Sequence, residues 1–389
     1  MSLFANWSFP TKIRVGQGRT KEVVKICQSM NIDSPLVVCD ENLVNLPFFK
    51  TLLSTLEALN FHIFSEVKSN PTVENINKGV ESYKSNQCDG VIAIGGGSAI
   101  DAGKAIAMMS GQPGELLDYV DKKGNWKKIQ PGSIAPIIAI PTTAGTGSEV
   151  GNASVVSNPV DHSKNIIFHP DMVPQWVILD PDLTVGLPAN LTAATGMDAF
   201  AHNLEAYCVS GYHPMADGIA IQGMKLVKEY LPQAVKDGSN IEARTQMLVA
   251  STMGATAFQK GLGGIHALSH TLGGLFDSHH GLLNAVLMPY VLKQNRASIE
   301  EKIAQLAHHL QLQQANFDGF INLVLEIRKE IGIPHSLSEI GINSESADFD
   351  KAKRVGELAV NDSVAAGNPI AYTAEEYQQI FERAVAGDL

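Results

Sequence analysis

The stretch Gly261–Gly281, GLGGIHALSHTLGGLFDSHHG, carries His266, His270, His279 and His280 among glycines and small apolar residues. His266 and His270 are four residues apart, so a helix over Ile265–Leu272 sends both rings out from one face. Gly273 and Gly274 favour an end to that helix, because glycine costs about 1 kcal/mol in a helix interior and readily takes the positive φ of a C-cap. His279 and His280 directly precede the apolar run LLNAVLMPYVL, which places one of them near the start of the next helix, facing back toward the first pair. In Thr195–Cys208, TGMDAFAHNLEAYC, Asp198 and His202 repeat the i, i+4 spacing on a segment of good helix formers, with Glu205 on roughly the same side. Together the two stretches offer a carboxylate and three imidazoles, an N/O donor set suited to a divalent transition metal with room left for substrate.

A second chemistry lies upstream. Gly95, Gly96 and Gly97 stand between the apolar run VIAI and a helix starting near Ser98, where bare backbone N–H groups can bind a diphosphate. Asp40 ends the earlier run PLVVCD, where a carboxylate can accept hydrogen bonds from both ribose hydroxyls of an adenosine and repel a 2′-phosphate. This favours NAD over NADP, although the glycines do not form a G-x-G-x-x-G fingerprint. The loop PTTAGTGSEV, Pro141–Val150, follows another apolar run and repeats the chemistry of small side chains and hydroxyls.

The elements that position these residues follow from their patterning. PLVVCD, DGVIAIGGGS and APIIAIPTT read as parallel strands buried on both faces, alternating with helices around Phe48–Leu59, Thr72–Ser85 and Ala99–Met109. Ligands in such folds sit at the carboxyl ends of the strands. VILDPDLTVGLP is the last extended stretch. From Thr192 onward the period is helical, over Pro214–Tyr230, Ile241–Phe258, Ile299–Leu310, Phe317–Ile331, Phe349–Val360 and Thr373–Ala386. The expected organisation is an α/β dinucleotide-binding domain over residues 1–185 and an all-α metal-binding domain over 186–389, packed directly with a cleft between them.

Composition narrows the partners. A net charge of -11 and a pI near 5.5 argue against nucleic acid and anionic membrane and favour a small-molecule substrate. Cys27, Cys39, Cys88 and Cys208 are scattered without a CxxC pair, as reduced thiols of a cytoplasmic protein would be. The opening MSLFANWSFPTK lacks the basic and long apolar regions of a signal peptide, and no run is apolar for the length of a membrane span.

With GGGSAIDAGKAIA, PTTAGTGSEV, VILDPDLTVGLPANLTAATGMDAFAHNLE and GGIHALSHTLGGLFDSHHG in view, the chain resembles the iron-containing, metal-dependent group III alcohol dehydrogenases from FPTKIRVGQG to NPIAYTAEEY. The resemblance implies a Rossmann-like N-terminal domain with a parallel sheet and a helical C-terminal domain, the dehydroquinate synthase-like fold, assembled as a homodimer or larger homo-oligomer. It implies that Asp198, His202, His266 and His280 hold the metal, Fe(II) by the family name and Zn(II) as the alternative, and that His270 serves proton transfer. It also implies that Asp40, Gly96, Gly97, Ser98, Thr142, Thr143, Thr146, Lys164 and Leu183 surround NAD. Thr271 stands where a proline often follows the relay histidine, Ser278 and His279 precede the last ligand where other residues are frequent, and Gly151 stands where relatives carry threonine. These departures bear on pocket shape.

The expected reaction is NAD-dependent, metal-assisted interconversion of a small alcohol or diol with its aldehyde or ketone, His270 carrying the alcohol proton. Phe258 and Gln259, close in sequence to the metal segment, are candidate pocket residues. Two other chemistries fit parts of the pattern: a dehydroquinate synthase-like lyase that uses NAD transiently, and a metal-dependent phosphohydrolase whose glycine loops hold substrate phosphate.

Overall fold

The computed structural model describes residues 6, 8–9, 11–121, 124–158, 164–343 and 349–389. The stretch read for a signal peptide lies mostly outside them. Packing divides the chain into two units, Ser8–Gly186 and Leu187–Leu389, the second also taking Asn6, whose carbonyl lies 3.1 Å from His213 Nε2.

The first unit is built on strands β1 (Lys12–Val15), β2 (Pro35–Asp40), β3 (His62–Val67), β4 (Gly90–Gly95), β5 (Ile137–Pro141), β6 (Ala153–Ser157), β7 (Lys164–Phe168) and β8 (Trp176–Leu179). Its helices are α1 (Val23–Ser29), α2 (Pro47–Leu56), α3 (Val73–Ser85) and α4 (Gly97–Ser110). Six strands form one parallel sheet in the order β1-β8-β5-β4-β2-β3. The continuous apolar runs became its inner strands because both of their faces are covered. Val37, Ile92, Ile94, Ile138 and Ile140 pack with Val23, Phe49 and Leu52 of α1 and α2, and α4 lies against the opposite face. Sheet order then locates a crevice. From β2 the chain moves outward to β3, then crosses back to β4 on the other side of β2 and continues away through β5, so the winding reverses between β2 and β4. Asp40 ends β2 and Gly95 ends β4, which places both at the point where such sheets bind ligands. The antiparallel hairpin β6–β7 stands apart from this sheet. Its strands are only five residues each and alternate buried and half-buried positions.

The second unit is helical: α5 (Ala189–Cys208), α6 (Pro214–Lys236), α7 (Ile241–Ala257), α8 (Gly264–Phe276), α9 (His280–His309), α10 (Phe317–Glu330), α11 (Phe349–Ala359) and α12 (Ala374–Ala386). α5 is buried at nearly every position after its first turn and packs against α6, α7 and α9. Two expectations need correction. Gly273 and Gly274 do not end α8, which runs on to Phe276 and stops at Asp277, in the left-handed region with φ 48°. Burial of Leu268 and Leu272, about 2 kcal/mol each, offsets the glycine penalty, and aspartate is one of the few other residues that tolerates the cap conformation. The apolar run after His280 and the segment Ile299–Leu310 are a single helix, α9, with Pro289 inside it. Pro289 sits among buried Val286, Leu287, Met288 and Tyr290, and that packing holds the helix through the missing N–H. Among the described residues no helix is long and apolar enough to cross a membrane.

Candidate functional site

Three helices of the second unit converge on one buried cluster. α5 supplies Asp198 and His202, α8 supplies His266 and His270, and α9 supplies His280 from its first position. The last placement depends on Gly281: a Cβ there would lie 2.5 Å from the Ala194 carbonyl oxygen, so only glycine lets the start of α9 approach the backbone of α5 this closely. Asp198 Oδ1 is 3.9 Å from His202 Nε2, 3.7 Å from His266 Nε2 and 3.6 Å from His280 Nε2. Ligand atoms of Asp198, His202 and His266 all lie within 4.8 Å of one another. Donors about 2.1 Å from one tetrahedral ion stand about 3.4 Å apart, and the three Asp198–imidazole separations are each within about half an ångström of that spacing. The residues present therefore fit a divalent ion.

Electrostatics are consistent with that use. Burial alone would push the Asp198 carboxyl up, but His202, His280 and His266 outweigh it and hold the group well below the usual carboxylate range. Burial alone would lower His266, but the Glu205 and Asp198 carboxylates raise it to about 9. His266 Nδ1 meets Glu205 Oε2 at 2.6 Å. Asn284, one turn after His280, donates through Nδ2 to Asp198 Oδ1 at 2.7 Å, and the same nitrogen lies 3.1 Å from His266 Nε2 and from His280 Nε2. Its Oδ1 is buried without a hydrogen-bond partner. The amide is thus oriented by the carboxylate of the cluster.

His270 lies beside the cluster, its ring stacked on His280 with centroids 5.3 Å apart. Its Nδ1 is 3.1 Å from Asp362 Oδ2. Burial would raise the Asp362 carboxyl, but the bond to His270 holds it down. An ionised carboxylate can only accept, so in the neutral imidazole Nδ1 is the donor and Nε2 is left as the acceptor. The ring of Phe258 tilts against His202 at 5.2 Å, whereas Gln259 is turned to its own backbone, donating to Thr256 O at 2.7 Å.

In the first unit the loops after β4 and β5 lie side by side. A Cβ on Gly97 would meet the Thr146 side chain at 2.7 Å, so the helix start and the second loop touch only because that residue is glycine. Thr142 N donates to Gly95 O at 2.9 Å, and Thr143 lies against Gly96. Asp40 stands at the neighbouring strand end, its Oδ1 accepting from Asn42 N at 3.0 Å. Ser98 Oγ donates to the Ser69 carbonyl. Lys164 opens β7, and Leu183 is packed into the core with Leu43, Ile94 and Ile140. Behind the loops, buried Lys104 of α4 donates to Ser148 O at 3.0 Å and to Ala153 O, and pairs with Asp101 at 3.1 Å. Asp101 in turn accepts from Val155 N at 3.0 Å and from Ser148 Oγ, tying the second loop to α4.

A family model described as iron-containing alcohol dehydrogenase matches residues 10–181, and one described as Fe-containing alcohol dehydrogenase family, C-terminal, matches residues 192–385. The chain belongs to the iron-containing alcohol dehydrogenase family. It is 36% identical over 387 residues to 4-hydroxybutyrate dehydrogenase of Cupriavidus necator, covering 96% of this chain and 98% of the relative. Its fold matches a crystal structure of 1,3-propanediol oxidoreductase with a TM-score of 0.91 and 33% identity, over 97% of this chain and 99% of that one. It also matches sulfoacetaldehyde reductase from Bifidobacterium kashiwanohense in complex with NAD+, with a TM-score of 0.90 and 27% identity over 100% of both chains.

Within this alcohol dehydrogenase, three residues outside the expected ligand and relay set also border the cluster: Glu205, Asn284 and Asp362. Glu205 is readable as the third member of an i, i+4, i+7 series with Asp198 and His202. Asn284 lies i+4 from His280 and could have been found by the same spacing. Asp362 is 92 residues from His270 and carries no such signal. The unusual Thr271 is buried and turns its hydroxyl back to Ala267 O at 3.0 Å, which removes it from the cluster.

Proposed function

We propose that this iron-containing alcohol dehydrogenase oxidises a short primary alcohol or diol, or reduces the corresponding aldehyde, with NAD as hydride partner. The convergence of Asp198, His202, His266 and His280 on one centre carries the reading. These four residues would hold a divalent ion, Fe(II) or Zn(II), since two or more imidazoles with one carboxylate accept either. Residues 186–389 are then the metal-binding domain and residues 1–185 the dinucleotide-binding domain.

When bound, the ion supplies Lewis-acid stabilisation of a developing alkoxide, worth several kcal/mol, and NAD supplies a hydride acceptor. The protein's own groups do the rest. The helix start at Gly96–Ser98 and the hydroxyls of Thr142, Thr143 and Thr146 offer donors to a diphosphate, and Asp40 offers acceptors to ribose. Lys164 and Leu183 complete the proposed cofactor contacts. His270, with its proton on Nδ1, takes the alcohol proton at Nε2. The named relatives act on 4-hydroxybutyrate and 1,3-propanediol, both short chains with a polar far end, which favours a functionalised primary alcohol as substrate.

Burial of the free thiols Cys27, Cys39, Cys88 and Cys208 supports a cytoplasmic location. The edge strand β1 leaves Ile13 and Val15 exposed, a surface that pairing with a second copy in a homo-oligomer would cover.

The test is NADH formation by anaerobically prepared protein over a panel of short alcohols, diols and hydroxy acids, with Fe(II) or Zn(II) added and after chelation. Metal-dependent NADH accumulation is expected. Turnover of a functionalised substrate with no net NADH would turn the assignment toward the lyase chemistry, and phosphate release without NADH toward the hydrolase.

A further inference from the structure

His266 has two ring nitrogens, and only Nε2 faces Asp198. The other is held by Glu205, a buried carboxylate two turns along α5 from Asp198. Glu205 collects three donors: Gly263 N at 2.9 Å and His266 Nδ1 at 2.6 Å on Oε2, and Ile265 N at 2.7 Å on Oε1. Gly263 is the N-cap of α8 and has no side chain to cap its own helix. The carboxylate that satisfies the helix start therefore comes from another helix, and the next free amide, Gly264 N, is taken by Asn368 Oδ1 at 3.0 Å. A Cβ at position 263 would meet Asn368 Oδ1 at 3.0 Å and Glu205 Oε1 at 3.2 Å, so α8 has no room for a capping side chain of its own. Capping alone does not account for the third bond, in which Oε2 also holds His266 Nδ1.

We propose that Glu205 is a positioning residue for the metal centre, fixing with one carboxylate both the start of α8 and the ring and tautomer of His266. Both of its oxygens already accept backbone N–H groups, so Nδ1 donates to it and Nε2 is the nitrogen left for an ion. α8 and α5 are thereby locked together at the point where each contributes a donor. A carboxylate behind a ligating imidazole also strengthens the imidazole as a donor. This role rests on the metal-centre reading above.

Glu205→Gln tests it. The amide is nearly the same size but has one oxygen and one NH2. Turned toward His266, the NH2 donates to Nδ1 and forces the ring proton onto Nε2; turned away, it faces Ile265 N–H. The control is Asn368→Ala, which removes the neighbouring cap of α8 and leaves His266 untouched. Metal-free proteins would be titrated with Co(II), reading the visible d–d absorption, with the thermal midpoint of each metal-free protein recorded alongside. The Glu205→Gln protein is expected to bind Co(II) about 10- to 100-fold more weakly, with a changed spectrum. The Asn368→Ala protein is expected to lose thermal stability while keeping the wild-type affinity and spectrum. Wild-type affinity and spectrum in Glu205→Gln, or an equal loss of affinity in Asn368→Ala, would overturn the role. If Glu205→Gln does not fold, Glu205→Asp replaces it: the shorter arm keeps the charge but cannot reach both the helix start and the ring, and the same two outcomes apply. Failure of the wild-type protein itself to take up Co(II) overturns the metal centre and this role with it, which is distinct from failure of Glu205 alone.

Discussion

His266 is the residue on which the chemistry of the cluster turns. Its imidazole is 1% exposed, yet its pKa is raised to about 9 because Glu205 and Asp198 flank it. In the metal-free protein the folded value lies above the ordinary 6.5 of an unfolded chain, so the stabilisation is fully present below pH 6.5 and is lost as pH rises through about 9. A metal must displace that proton. Its affinity is therefore expected to rise about tenfold per unit of pH up to about 9, with proton release on binding. Calorimetric titration in buffers of different ionisation enthalpy measures the release, and a pH-independent affinity between 6.5 and 9 would contradict it.

The elements matter through how closely they approach. α9 reaches α5 over Gly281, and Gly281→Ala would drive a Cβ into the Ala194 carbonyl at 2.5 Å. Because His280 is the preceding residue, the shift should weaken metal binding at least tenfold while costing the fold about 1–3 kcal/mol; metal titration beside denaturant unfolding separates the two. In the first unit, α4 is tied to the loop after β5 by buried Lys104 and Asp101. Lys104→Met leaves a carboxylate and several carbonyls without their cation and is expected to destabilise the protein by about 3 kcal/mol. Since that loop carries Thr142, Thr143 and Thr146, NAD affinity measured by fluorescence titration should fall as well. Undiminished NAD affinity would mean that the loop holds its shape without the tie.

Over the whole chain, a site made from α5, α8 and α9 should couple metal binding to global stability. Metal at about a hundredfold over its dissociation constant adds about 2.7 kcal/mol, which for a chain of this length raises the thermal midpoint by about 3 °C. Chelation should reverse the shift, and in His266→Ala the shift should vanish although the protein still folds. The acidic balance of the chain, -11 in net charge, disfavours long-range attraction to polyanions.

Local sequence was sufficient for whatever depends on near neighbours. The runs PLVVCD, VIAI and APIIAIP declared buried parallel strands because both of their faces are apolar, and the four-residue spacings of Asp198 with His202 and of His266 with His270 declared shared helix faces. What lay outside local sequence were the events in which distant segments compensate one another. α8 passes through Gly273 and Gly274, and α9 passes through Pro289, because burial outweighs propensity. The hairpin β6–β7 buries Ser154 and Asn165 beside Val156 and Ile167, so its residues do not show the apolar/polar alternation of a strand. The pairings of Glu205 with His266 and of Asp362 with His270 join residues 61 and 92 positions apart. Residue spacing thus determined which groups could act together, since a helix face repeats every turn. Only tertiary packing decided which ring nitrogen His266 and His270 present, because that depends on a carboxylate brought up from elsewhere in the chain.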